Sequence, residues 1–166
     1  MRRLFSIMAA AWTLGACNDL RFRGDLADQA SAIRKRATAW VCGPEREGEV
    51  AGYDRPALGC NARLSGEEGA TRGDSSIAMI WFDSSATVLQ VVHQWLADSA
   101  RVRHIYETQL AILAAESGGP GRPCVWPYAR EARAFSFGRY YAVASIDLSG
   151  QATLVTRTMF EPRCER

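Results

Sequence analysis

The chain has 166 residues, 48% of them hydrophobic, with 20 basic and 18 acidic side chains and a formal charge of +2. That length suits one domain with a substantial core and is short for two. The near balance of charge removes any general electrostatic case for nucleic-acid binding, and Lys35 is the only lysine, so the cations are almost all arginine.

In chain order, Arg2 and Arg3 come first, followed by an uncharged apolar stretch from Leu4 to Ala16. That length fits the core of a signal peptide and is too short to span a bilayer as a helix. The stretch ends in Leu14-Gly15-Ala16-Cys17. An ordinary secretory cut after Ala16 would leave Leu14 at the −3 position, where a small residue is needed. The tetrapeptide instead resembles the lipobox of bacterial lipoproteins. The resemblance covers residues 1–17 and implies that Cys17 receives a diacylglyceryl group, that residues 1–16 are removed, and that the new amine is acylated, for example with palmitate. Two or more acyl chains hold a protein on a bilayer stably, so the first expected partner is a lipid bilayer. Asn18, rather than Asp, follows the cysteine; by the enteric sorting pattern this favours the outer membrane over the inner. The expected location is therefore the bacterial cell envelope, lipid-anchored and facing the periplasm. Residues 17–24 form a lipidated tether and 25–166 one periplasmic domain. Loss of Arg2 and Arg3 leaves 18 basic residues against 18 acidic, so the apparent basicity belongs to the signal.

Four cysteines remain: Cys42, Cys60, Cys124 and Cys164. An even number in an exported domain points to disulfides, and no Cys-x-x-Cys favours a zinc or redox motif. Three pairings are possible. Cys42–Cys60 and Cys124–Cys164 are expected, since each closes a Gly/Pro-rich segment or ties a tail. On the chain-entropy account they contribute about 3 and about 4 kcal/mol.

Asp25 is a helix N-cap, and Leu26, Ala30, Ile33, Ala37 and Trp40 recur at helical spacing. Gly43-Pro44 is expected to end that helix, and Arg34-Lys35-Arg36 to form its solvated side. Residues 43–75 are Gly-rich and charged, with a short strand expected between Tyr53 and Leu64. Glu45, Glu47 and Glu49 alternate there but lack the glycine pattern of a calcium loop. Ser76 to Asp83 reads as a buried central strand. From about 86 to 117 the positions Val88, Val92, Trp95, Ser99, Val102, Tyr106, Gln109 and Leu113 predict one long helix, although Val88 to Trp95 is β-branched enough to be a strand. Ser117-Gly118-Gly119-Pro120 stops it. A Pro/Gly loop follows, then a strand over 134–148 with a bulge at Gly138, a turn at Ser149-Gly150, and a return strand over 152–160. The fold class is α+β: an N-terminal helix and one long helix packed on a small, mainly antiparallel sheet with a C-terminal hairpin and two disulfides.

Signals for chemistry are sparse. His93 and His104, eleven residues apart on one helix, would share a face yet lie about 16 Å apart along the axis, too far to share a metal. His104 stands three residues before Glu107, an orienting pair for a hydrolase. There is no Ser elbow, P-loop or dinucleotide fingerprint, so no cofactor is expected. Arg-Gly-Asp occurs at 23–25 and 72–74, where chance in an Arg- and Gly-rich chain accounts for it. Trp126-Pro127-Tyr128 lies in the 122–128 loop that Cys124 ties down, and a pre-ordered aromatic loop loses little entropy on binding. The sequence therefore points to a non-enzymatic accessory or binding lipoprotein with an unknown envelope protein partner. The alternatives are a periplasmic hydrolase using His104 and Glu107, or an inhibitor-type protein binding through Trp126 and Tyr128.

Overall fold

The computed structural model describes residues 25–48, 50, 53–55, 57–64, 75–162 and 164. Cys17, the tether and both Arg-Gly-Asp motifs, apart from Asp25, fall outside the described residues.

The first helix, α1, runs Leu26–Arg36. The Asp25 carboxylate accepts hydrogen bonds from the main-chain N–H groups of Ala27 and Asp28, at 2.9 and 3.0 Å, which satisfies two of the open donors at its start. Its last turn carries Arg34, Lys35 and Arg36, the sign that the helix dipole favours there. The helix ends at Arg36, short of Gly43-Pro44. Ala37 is extended, because the run Thr38-Ala39-Trp40-Val41 suits a pleated strand better than a helix. That run begins β1 (Ala37–Gly48), which pairs antiparallel with β2 (Ala57–Leu64). The short strand expected between Tyr53 and Leu64 is β2, whereas residues 43–48, expected to be irregular, continue β1.

Next come β3 (Ser75–Phe82) and β4 (Val88–Leu96). They are joined by a turn in which the Asp83 carboxylate accepts from the N–H groups of Ser85 and Thr87, each at 2.8 Å. The predicted helix over 86–117 is divided: its first third is β4, and only Ser99–Ser117 is the helix α2. Asp98 caps α2 by accepting from Arg101 N–H at 2.9 Å. Gly118, with φ +76°, ends it in the left-handed conformation that glycine adopts without strain.

The second half of the chain holds β5 (Arg122–Pro123), β6 (Ala129–Ser136), β7 (Tyr141–Asp147) and β8 (Ala152–Thr158). The single strand expected over 134–148 is two strands with a turn between them, and the β7–β8 hairpin is as expected. The strands form one sheet in the order β1-β2-β3-β4-β8-β7-β6-β5, antiparallel at every step. Among the described residues the α+β description holds for two helices on an antiparallel sheet; the sheet itself is not small, with eight strands.

Both helices cover the same face. Ala62, Ala78, His93, Val155 and Ala144 stand opposite one another in succession across β2, β3, β4, β8 and β7, so they share a side of the sheet. Ala62 and Ala78 pack with Leu26, Ala30 and Ile33 of α1. Val155 and Ala144 pack with Val102, Tyr106 and Leu113 of α2. Each fully buried aliphatic side chain of this kind contributes roughly 1.5–3 kcal/mol. The Thr153 hydroxyl, buried on the same face, donates to the Val102 carbonyl at 2.8 Å and fixes α2 to the sheet.

The topology defines two ends. Ala37, after α1, pairs with Leu64, whereas Gln29, near the start of α1, hydrogen-bonds Tyr140 in the turn between β6 and β7. The start of α1, the β3–β4 turn and the β6–β7 turn therefore lie at one end. The start of α2, the β7–β8 turn and the loop before β6 lie at the other.

A candidate binding loop at one end of the sheet

Both expected disulfides are present, Cys42–Cys60 and Cys124–Cys164. The second ties the loop before β6 to the tail after β8. Its cysteines pack with Ala132, Ala134 and Val143, and with Trp126 and Ala129 at the margin. Trp126 is half-buried, so it roots the loop in the core beside the disulfide and is only partly available to a partner.

Tyr128 behaves differently: it is 86% exposed. Its φ of +59° lies in the left-handed region, which costs a bulky side chain of order 1–3 kcal/mol and persists only where neighbours hold it. Here two backbone hydrogen bonds do so: Ala129 N–H donates to Trp126 O, and Leu148 N–H donates to Tyr128 O, each at 3.1 Å. Leu148, brought alongside by that bond, is 66% exposed, and Val125 in the same loop is 60% exposed. Two segments twenty residues apart thus bring Tyr128 and Leu148 alongside one another, and Val125 is exposed three residues before Tyr128. Loop residues exposed to this extent are ordinarily polar; here they are apolar, in a loop held by a disulfide and paired backbone.

The β7–β8 turn is itself rigid. Asp147 accepts from the N–H groups of Gln151 and Ala152 at 2.9 and 3.1 Å and from the Ser149 hydroxyl at 2.7 Å. Burial pushes its carboxyl up, but the hydrogen bonds from Ser149, Ala152, Gln151 and Gly150 outweigh it and hold it below the ordinary carboxylate value. On the helix side, Arg103 of α2 pairs with Glu131 of β6 at 2.8 Å. That hydrogen bond, against the opposing effect of burial, raises the Arg103 value. The same Arg103 lies over the ring of Tyr106 at 5.6 Å, and burial pushes the Tyr106 phenol up to about 12.

The histidines do not come together. His93 is on β4, not on a helix, and is fully buried. Its Nε2 lies 2.5 Å from the Ser76 hydroxyl, and its ring lies against that of Trp95, tilted by 30° with centroids 3.8 Å apart. His104 and Glu107 are exposed on α2. Neither of two hollows formed by described residues is lined by a histidine. One, of about 440 Å³, includes Arg122 and Glu161, paired at 2.9 Å, with Ser136 and Tyr141. The other, of about 500 Å³, lies beside Cys42–Cys60. No group of three or more His, Cys, Asp or Glu that could hold a metal occurs among the described residues. No described helix is long and apolar enough to cross a membrane.

Sequence reasoning singled out Trp126 and Tyr128 in the 122–128 loop, which also holds Val125, and did not connect Leu148 with them. Leu148 reads as the last residue of a strand, and only the turn geometry fixed by Asp147 turns it outward beside Tyr128. The Ser76–His93 pair carried no local signal, because seventeen residues separate its members. Comparison of the chain with family models, with curated proteins and with solved structures finds no match.

Proposed function

We propose that the protein is a membrane-anchored envelope lipoprotein acting as a non-enzymatic binding module, and that its partner is engaged by the loop carrying Tyr128. The observation that carries this reading is the exposure of Tyr128 on left-handed backbone held by two hydrogen bonds, one of them from Leu148. An anchor side chain already ordered before contact loses little conformational freedom on binding. The anchor belongs to the same reading through the lipobox at Cys17. A tether from Asn18 to Gly24 reaches at most about 25 Å, and it enters the domain at Asp25, at the end opposite Tyr128. A domain held in that way presents the loop away from its own bilayer, to a protein. An inhibitor-type protein is a special case of this reading, with the loop seated in the partner's cleft.

The test is site-specific photo-crosslinking in envelopes carrying the full-length, Cys17-bearing chain. A crosslinker at Tyr128 or Leu148 is expected to trap one discrete partner, while the same group at Ser84 or Arg139, at the other end, traps none. Tyr128→Ala is expected to weaken partner binding by roughly 30-fold or more, the effect of losing an interface anchor worth about 2 kcal/mol. Equal trapping from both ends, or unchanged affinity in Tyr128→Ala, would refute the reading.

A further inference from the structure

The two disulfides differ in setting. Cys124–Cys164 is packed among apolar side chains. Cys42–Cys60 joins directly opposed residues of β1 and β2 at the edge of the sheet, and Cys42 is exposed while Cys60 is 2% exposed. Beyond this bridge the β1–β2 ladder is broken: pairing jumps from Cys42 with Cys60 to Glu47 with Leu58, so four residues of β1 stand against one of β2. Both cysteines line the hollow of about 500 Å³, which also takes in Arg34, Leu58, Phe82 and Asp83. Arg34 lies over the ring of Trp40 at 5.2 Å, which fixes the guanidinium above β1. Leu58, two residues from Cys60 on the same face of the sheet and lining the same hollow, is an exposed apolar residue.

We propose that Cys42–Cys60 is a thiol-exchange site that takes a protein dithiol. Exchange requires a thiolate to reach one sulfur and the other to leave, and a nearby cation favours both thiolates. A thiolate of the donor attacks Sγ of Cys42, the sulfur on the open side; the Cys42–Cys60 bond breaks, and Cys60 leaves as a thiolate and takes a proton. The donor's second thiolate then attacks its own sulfur in the mixed disulfide and releases Cys42, which is protonated in turn. The donor dithiol is oxidised to a disulfide and the protein's disulfide reduced to two thiols, two electrons in all. Arg34 stabilises the entering and leaving thiolates within the hollow, and Leu58 gives a protein donor apolar contact that a small thiol does not use.

The oxidised full-length chain is incubated under native conditions with dithiothreitol or with a reduced thioredoxin-class protein, then alkylated and mapped by mass spectrometry. Cys42 and Cys60 are expected to become labelled at least tenfold faster than Cys124 and Cys164, at a rate that rises linearly with dithiol. Arg34→Gln is expected to slow the reaction about threefold, with Arg34→Lys restoring it. Leu58→Ser is expected to slow the protein donor and leave dithiothreitol unaffected. Equal rates at the two bridges, a rate independent of dithiol concentration, or full activity in both Arg34→Gln and Leu58→Ser overturns the proposal. The first two arms use the unaltered chain, so they stand even if a variant folds poorly.

Discussion

Gly121 shows how little room some single positions leave. Its φ is +70°, and a Cβ there would lie 2.6–2.9 Å from the ring of Phe135, a buried residue. Ring and backbone both resist movement, so Gly121→Ala meets overpacking and a disfavoured conformation together. It is expected to lower stability by roughly 2 kcal/mol or more, read as a lower urea midpoint at unchanged slope. Individual residues were unevenly legible in the sequence. The cysteine pairs could be read because an even number of cysteines and the composition of the loops restrict them. The exposed Tyr128 was visible as an aromatic in a Pro-rich loop. The fully buried His93 was not, since a histidine inside a strand looks the same in sequence whether it faces Ser76 or solvent. Arg157 was equally opaque. It is buried, and burial lowers its value to about 10, leaving it charged at neutral pH near Tyr140 and Glu116.

At the scale of elements, the turn between β7 and β8 depends on one ionised carboxylate. Asp147 is held below its ordinary value in the folded chain, so its contribution is fully present above about pH 4 and is lost as pH falls through the folded value. The amide resonances of Gln151 and Ala152, which bond to that carboxylate, are expected to titrate with a midpoint below about 3.9. In Asp147→Asn that titration disappears, and partner binding through Leu148 weakens. A midpoint above the free-aspartate value would contradict the account. Elements were hardest to read where two periodicities compete. Val88, Val92 and Trp95 fit a helical face, yet Val88, Val91 and Val92 are β-branched, and pairing with both β3 and β8 decided for a strand. At the end of α1, Ala37 and Trp40 continued the helical spacing, but pairing with β2 took them into β1. Long-range pairing of this kind is invisible to any local window.

For the whole molecule, the chain runs through one pattern twice: helix and four strands, α1 with β1–β4, then α2 with β5–β8, the halves meeting where β4 pairs with β8. Unequal helices, of 11 and 19 residues, and strands differing as much as β1 and β5 hid this repetition from the sequence. Cys42–Cys60 closes a separation of 18 within the first half, and Cys124–Cys164 one of 40 within the second. Replacing both cysteines of the second pair by serine is expected to cost about 4 kcal/mol and of the first about 3, measured by chemical denaturation. The reverse order would show that native-state strain, not loop closure, governs these bridges.

The containment of each bridge within its own half also bears on how the chain matures. A chain delivered N-terminus first into an oxidising compartment presents Cys42 and then Cys60 well before Cys124 arrives. If the chain is exported as proposed, joining its paired cysteines in order of arrival would yield Cys42–Cys60 and Cys124–Cys164 directly, with no wrong pair for an isomerase to undo. The first half can be locked while the second is still being threaded, leaving the joining of β4 to β8 as the late step that completes the sheet.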